Sequence, residues 1–197
     1  IIGSKVKNWG GNALNGNGQY FIAEADEYQD KLSLYDPKGA IFTSCDWDHP
    51  DYFQDYEAYK NTFRRFVSRI PRGGFLIVWG DSTDTLEVAD DAVCNVFSYG
   101  FSEDCDYQIA NYQSLVQSQK FEILYREEKI GQFEVPLMGK HNALNAAAVI
   151  AVCHRLDLDM NDTAEAMKKF QGTARRFEYI GQRKGAVLID DYGHHPE

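Results

Sequence analysis

Two acidic segments of the chain carry side chains that could hold a divalent cation. They are EADEY, residues 24–28, and DWDHPDYF, residues 46–53. Glu24 and His49, from neighbouring strand ends, could bind one Mg²⁺ together, because Mg²⁺ prefers oxygen donors and keeps several waters. Such a shell leaves positions open for phosphate oxygens. The alternative is that the acidic loops are only solvated surface.

A third segment, GKHNALNAA at residues 139–147, carries amide side chains at helical spacing. Asn142 and Asn145 are three residues apart, so they share one side of the first turn of a predicted helix. An asparagine amide can pair with adenine, donating to N7 and accepting from the N6 amine. These residues are therefore a candidate adenine contact. Capping of the helix by His141 and Asn142 is the alternative.

The C-terminal quarter contains GTARRFEYIG, residues 172–181, and LIDDYGHHPE, residues 188–197. The adjacent arginines Arg175 and Arg176 could neutralise a γ-phosphate or an acyl phosphate. An isolated pair of arginines can also be ordinary surface charge.

The elements that position these motifs are predicted from the apolar pattern. Apolar runs rich in β-branched and aromatic residues predict four buried strands, at residues 20–23, 40–43, 75–79 and 186–189. Apolar residues at spacings of three and four predict three helices, at residues 56–70, from residue 141 onward, and at residues 162–170. The last of these is expected to begin with a capping box formed by Asp162 and Glu165.

Strands alternating with helices predict an α/β fold with a mostly parallel sheet flanked by helices. Short alternating segments within residues 94–136 predict a small antiparallel excursion. Acidic or histidine residues follow each of the four predicted strands, at the end where open α/β sheets bind ligands. Turns after strands are polar in any case, but the repetition favours a binding site at this edge.

Composition narrows the classes of partner. The formal net charge is −10 at pH 7, so the surface repels nucleic-acid phosphates and anionic lipid, and we expect neither as a partner. No run approaches the roughly 20 apolar residues of a membrane span. The four cysteines form no CxxC pair, which favours reduced thiols in a cytoplasmic protein.

In their order along the chain, these motifs resemble those of the Mur ligase family. The resemblance runs from GGNALNGNGQYFIAEADEY, which begins at residue 10, to DDYGHHPE at the end of the chain. YGFSEDCDYQIANY, residues 99–112, and DDYGHHPE are similar to the branch that adds L-alanine to UDP-N-acetylmuramate. DWDHPDYF resembles versions of that branch in some Gram-positive bacteria.

The resemblance implies an ATP- and Mg²⁺-dependent ligase of peptidoglycan precursor synthesis. Such an enzyme joins L-alanine to the lactyl carboxylate of UDP-N-acetylmuramate through an acyl phosphate. It has three domains. Residues 1–173 would be most of the middle, ATP-binding domain, and residues 174–197 the start of the C-terminal α/β domain.

The resemblance also implies roles for individual residues of the middle domain. Glu24 and His49 match the family's magnesium ligands and therefore count as catalytic residues. Asn145, with Asn142 nearby, matches the adenine contact.

Four residues near the C-terminus match further positions of the family. Arg176 matches a catalytic contact to the nucleotide phosphates, and Asp191 matches the acidic residue that holds the ribose. His194 and His195 match the stretch that lines the substrate cleft.

Two departures from the family pattern bear on these expectations. The phosphate-binding loop GxxGKT[ST] does not occur in the 197 residues, and we expect it upstream of Ile1. Ser44 stands where the family usually has asparagine, so one polar contact is in question. The fragment alone is expected to be inactive.

Other functions stay open from the sequence. The chain could come from a ligase that recycles recovered peptide onto UDP-N-acetylmuramate, or from another Mur branch. It could also be a non-catalytic nucleotide-binding domain derived from such ligases. A phosphate-binding loop in the upstream coding sequence would favour the enzyme.

Overall fold

The computed structural model describes residues 1–193. These residues form two compact units, one built from residues 26–169 and one that combines Ile1–Ala25 with the chain from Phe170 onward. No helix in the described range is both long and apolar enough to cross a membrane.

The larger unit contains six strands, four helices and a short 3₁₀ helix at Tyr28–Leu34. Its strands are β1 (Gly39–Phe42), β2 (Phe75–Trp79), β3 (Asn95–Gly100), β4 (Tyr107–Ser114), β5 (Gln119–Tyr125) and β6 (Glu128–Val135). Its helices are α1 (Tyr56–Ser68), α2 (Thr83–Ala89), α3 (Lys140–Arg155) and α4 (Met160–Lys169).

The six strands form one sheet in the order in which they occur along the chain. The pairs β1–β2, β2–β3 and β3–β4 are parallel, and the pairs β4–β5 and β5–β6 are antiparallel. The predicted α/β fold is confirmed, with an antiparallel excursion at β4–β6. Strand β3, which was expected within that excursion, instead pairs in parallel with β2.

Strand β2 shows why helices cover both faces of the sheet. Ile77 is fully buried among the residues that pack with α3. Its neighbours Leu76 and Val78 are equally buried but belong to the cluster that includes α1 and α2. Successive side chains of a strand point to opposite faces, so a continuous apolar run is buried on both.

The helices follow their predicted periods. Asp55 accepts a hydrogen bond from the Ala58 N–H at 2.8 Å and caps α1, whose apolar stripe is buried. Alanines dominate the buried face of α3, and their small side chains let the helix lie close to the strands.

The expected capping box on α4 is wrong. The helix begins at Met160, and the carboxylate of Asp159 accepts hydrogen bonds from the N–H groups of Asn161 and Asp162 at 2.7 and 3.0 Å. Glu165 instead pairs with Lys168 at 2.7 Å. An acidic residue just before the helix already satisfies the first free N–H groups.

The smaller unit departs most from expectation. Residues 20–23 form no strand, and Phe21 and Ile22 are 79% and 78% exposed. Strand β8 (Ala186–Asp190) does form, but it pairs antiparallel with β7 (Glu178–Arg183) and is largely exposed. The predictions of a buried strand at 20–23 and of a buried parallel strand at 186–189 are therefore wrong.

Candidate functional site

The first two turns of α3 hold the two candidate adenine-binding asparagines, and the structure gives them different surroundings. The amide Nδ2 of Asn142 donates to the carbonyl oxygen of Met138 at 2.7 Å, and it lies 3.1 Å from Nε2 of His141. Asn145 is exposed, and its amide makes no hydrogen bond to any residue in the described range. Asn142 therefore supports the turn, whereas Asn145 has both amide groups open to a ligand.

Gly139, the residue before α3, permits this local geometry. Its φ of 90° lies in the region that favours glycine. A Cβ at this position would lie 2.5 Å from Cε1 of His141. Because glycine has no side chain, no side-chain cap covers the helix N-terminus. Lys140 extends from the same turn, with Nζ 5.5 Å from the centre of the Phe101 ring.

His49 lies in the loop after β1, in a polar and aromatic environment. Its ring centre is 4.4 Å from that of Tyr28. Its Nε2 lies 3.9 Å from a carboxylate oxygen of Glu27 and 3.9 Å from one of Asp48. The Tyr59 hydroxyl approaches Glu27 at 3.4 Å, and burial raises the pKa of that phenol, with a further contribution from Glu27.

Glu27 and Asp48 were counted among the acidic residues that follow predicted strands, but not among the candidate ligands. The available signal was their position next to selected residues. Within residues 1–193, no group of three or more His, Cys, Asp or Glu side chains is arranged to hold a metal ion.

Glu24 belongs to the smaller unit. It is exposed, and its Oε2 accepts a hydrogen bond from the Gly3 N–H at 2.6 Å. Its own N–H donates to the carbonyl oxygen of Ile1 at 2.9 Å. Glu24 was expected to follow a strand, and it does not. Its other carboxylate oxygen is nevertheless available to a ligand. Its pairing with His49 stays a prediction.

The structure brings Arg176 and Asp191 into the same part of the smaller unit. The carboxylate of Asp191 accepts hydrogen bonds from the N–H groups of Phe177 and Gly193, both at 2.6 Å. The guanidinium carbon of Arg176 lies 5.7 Å from the centre of the Tyr192 ring. His194 and His195, the expected substrate-cleft residues, lie outside the described residues.

Asp81 is a strand-end acid whose role proves to be structural. Its two carboxylate oxygens accept hydrogen bonds from the N–H groups of Phe101 and Ser102, both at 2.8 Å. It thus ties the end of β2 to the loop after β3. A Cβ at Gly100 would lie 2.5 Å from this carboxylate, so the close approach requires glycine.

Comparison with known proteins agrees with this architecture. Residues 8–153 match the Mur ligase middle domain family. The chain is 36% identical over 196 residues to the UDP-N-acetylmuramate–L-alanine ligase of Desulfitobacterium hafniense (strain Y51), a match that covers 100% of this chain and 43% of that protein. The chain therefore spans under half the length of this curated relative.

Two solved structures are similar in fold. The UDP-N-acetylmuramate-alanine ligase of Thermotoga maritima superposes with a TM-score of 0.81 at 24% identity, covering 98% of this chain and 43% of that one. The UDP-N-acetylmuramate:L-alanyl-gamma-D-glutamyl-meso-diaminopimelate ligase of Neisseria meningitides gives a TM-score of 0.73 at 26% identity, covering 86% and 56%. With three-quarters of its length matching the middle-domain family, this chain belongs to the Mur ligase family.

Proposed function

We propose that this chain is the ATP-binding part of a UDP-N-acetylmuramate–L-alanine ligase that acts in the cytoplasm. The observation that carries the proposal is the 36% identity, over the whole chain, to a relative of that name. The exposed Asn145 near the N-terminus of α3 adds a contact suited to the nucleotide.

In this proposal, the amide of Asn145 reads adenine by donating to N7 and accepting from the N6 amine. Asn142, whose amide is bound to the Met138 carbonyl, keeps the turn in place. Asp191 accepts a hydrogen bond from the ribose, and its two bonds to backbone N–H groups hold its carboxylate in one orientation. Arg176 contacts the nucleotide phosphates.

Glu24 and His49 would hold Mg²⁺, which when bound neutralises charge on the phosphate oxygens. The free oxygen of Glu24 is a hard donor of the kind the ion prefers. Tyr28, Glu27 and Asp48 surround the His49 ring and restrict its orientation, as partners around metal-binding histidines commonly do.

The reaction follows from the substrates that this function implies. The γ-phosphoryl group of ATP passes to the lactyl carboxylate of UDP-N-acetylmuramate and gives an acyl phosphate and ADP. The amine of L-alanine then attacks the acyl carbon, forms the amide and expels phosphate. Protein groups mainly position the reactants and stabilise charge. Arg176 stabilises charge on the phosphates, and His194 and His195 line the substrate cleft.

One observation favours a second candidate. The Neisseria meningitides ligase, whose name includes a peptide rather than a single amino acid, is 26% identical to this chain. A ligase that attaches recovered peptide to UDP-N-acetylmuramate is therefore the alternative function.

Two chimeric enzymes test the proposal and separate the candidates. In one, residues 1–197 replace the matching segment of the Desulfitobacterium hafniense ligase, and in the other the matching segment of the Neisseria meningitides ligase. We expect the first chimera to form ADP only when both UDP-N-acetylmuramate and L-alanine are present. A folded first chimera without turnover, beside an active parent enzyme, contradicts the proposal. Turnover by the second chimera alone favours the recycling ligase.

A further inference from the structure

Gln119, the first residue of β5, is a polar side chain enclosed in the core. It is only 1% exposed, and both ends of its amide are used. The Tyr112 hydroxyl donates to its Oε1 at 2.9 Å, and its Nε2 donates to the carbonyl oxygen of Gly139 at 2.9 Å. A carbonyl can only accept, so the NH₂ group must face Gly139 and the amide oxygen must face Tyr112.

The Gly139 carbonyl is the point at which α3 begins. It also accepts a hydrogen bond from the Asn142 N–H at 3.0 Å. Gln119 therefore contacts the residue on which the first turn of the helix closes. The candidate adenine contact, Asn145, lies three residues beyond Asn142, at the start of the next turn.

The way α3 begins differs from that of two other helices of the same unit. Asp55 caps α1 and Asp159 precedes α4, each accepting backbone N–H bonds with its own carboxylate. Gly139 has no side chain to do this. The start of α3 is instead held from outside, by a strand residue that is distant in sequence.

A purely space-filling role does not explain this glutamine. Burying an amide in an apolar core is costly unless its hydrogen bonds are met. Phe121, the next inward-facing residue of β5, is also 1% exposed and fills its position with an apolar ring. Methionine has nearly the same shape as glutamine and could fill the same space without that cost.

We infer that Gln119 is a positioning residue for the adenine contact, which it aligns by holding the Gly139 carbonyl and thus the first turn of α3. This inference rests on the proposed function. Tyr112 supports Gln119 by fixing the orientation of its amide. The Phe101 ring meets the Tyr112 ring edge-on at 5.5 Å and also lies beneath Lys140, so it braces the same turn.

The test compares Gln119→Met with Ile123→Val, a fully buried control on the same face of β5 that leaves the hydrogen bond to Gly139 intact. Hydrogen exchange of the Asn142 and Ala143 amides reports the order of the turn. Titration of residues 1–197 with millimolar ATP and GTP, followed by protein NMR, reports preference for adenine. A loss of packing alone would not change that preference.

We expect Gln119→Met to speed exchange of these two amides at least tenfold more than Ile123→Val does. We also expect it to reduce the preference for ATP over GTP by at least about fivefold, as for loss of an aligned base contact. Tyr112→Phe keeps the bond from Gln119 to Gly139, so it should change the exchange rate and the ATP preference in the same direction but by less. This variant replaces Gln119→Met in the test if Gln119→Met does not fold.

Two results would overturn the inference alone: equal exchange in Gln119→Met and Ile123→Val, or an unchanged preference for ATP in Gln119→Met. A wild-type chain that shows no preference for adenine contradicts the proposed function itself, and the inference falls with it.

Discussion

The side-chain amide of Asn142 donates to the carbonyl oxygen of Met138 over 2.7 Å, which binds the first turn of α3 to the residues before it. Asn145, three residues later, is exposed on the next turn. Two asparagines three residues apart near the start of α3 therefore differ in their surroundings, and we expect separable roles, one in stability and one in ligand binding.

We predict that Asn142→Ala lowers the free energy of unfolding by about 1 kcal/mol, the typical net contribution of one hydrogen bond. Asn145→Ala should change it by less than about 0.5 kcal/mol, because an exposed side chain without such bonds contributes little. Urea denaturation of both variants measures the difference. A larger loss for Asn145→Ala would show that the roles are reversed.

In the active chimera, we expect Glu24→Ala to lower kcat strongly and to lower the free energy of unfolding only slightly. Loss of a phosphate-bound cation should lower kcat by about 100-fold or more, since such an ion supplies several kcal/mol of charge stabilisation. The lost bond to Gly3 should cost only about 1 kcal/mol of folding free energy. The control is Glu165→Ala, an exposed glutamate paired with Lys168. Equal rates for the two variants would exclude Glu24 as a magnesium ligand.

The buried thiols predict a loss of stability at alkaline pH. Burial is the main cause that raises the pKa of Cys45 and of Cys105 from 9.0 to about 12, with smaller contributions from Asp84 and Asp81. Above pH 9 the unfolded chain releases these protons while the folded chain retains them. The stabilisation is therefore complete below pH 9 and is lost as the pH rises toward 12.

Urea denaturation at a series of pH values between about 9 and 11 checks this. The free energy of unfolding should fall by up to about 1.4 kcal/mol per pH unit for each such thiol. Cys105→Ala should reduce the slope of the unfolding free energy against pH by the contribution of one proton, up to about 1.4 kcal/mol per pH unit. A slope that is the same in this variant would show that Cys105 is not responsible.

Residues 1–197 alone are expected to show no L-alanine-dependent ATP hydrolysis and to bind ATP weakly. The backbone N–H groups and lysine of a GxxGKT[ST] loop, which normally hold the phosphates, do not occur in this sequence. A chain of net charge −10 must then hold a triphosphate with few cations. Calorimetric titration and a phosphate-release assay, in saturating Mg²⁺ with both substrates, measure this. Turnover would show that other residues hold the phosphates.

Much of the larger unit could be predicted because its signals are local. The run at residues 75–79 is apolar throughout, and a strand buried on both faces requires that. The apolar stripe of residues 56–68 has the period of a helix with one buried face. Apolarity alone wrongly predicted a strand at residues 20–23, since a strand also needs neighbouring strands to pair with. In the structure residues 20–23 join no strand pair, and the Ile22 carbonyl only accepts a hydrogen bond from the N-terminus of Ile1 at 2.8 Å.

The hairpin of the smaller unit was missed for a related reason. Lys184 and Gly185 link β7 to β8 with φ values of 50° and 82°, and positive φ at both central residues is the mark of a type I′ turn. The usual sequence of such a turn is Asn-Gly or Asp-Gly, so Lys184-Gly185 did not predict a hairpin. Without a recognised turn, residues 186–189 were predicted to be a buried strand of the parallel sheet.

The candidate site was predictable in residue type but not in the direction of individual side chains. Spacing places Asn142 and Asn145 on one turn, yet it cannot show that the Asn142 amide turns back to Met138. Likewise, the motifs contained Glu27 and Asp48 without indicating that both lie near the His49 ring. These relationships depend on loop conformation, including a φ of 56° at His49.

The most direct measurement of the central claim is the effect of Asn145→Ala on the binding of two ligands by the active chimera. The control is Val149→Ala, an exposed residue one turn further along α3. We expect Asn145→Ala to raise the dissociation constant for ATP by about 5- to 150-fold, corresponding to about 1–3 kcal/mol for a bidentate base contact. The dissociation constant for UDP-N-acetylmuramate should stay within twofold of the control. Equal losses for both ligands, or none for ATP, would contradict an adenine site near the N-terminus of α3.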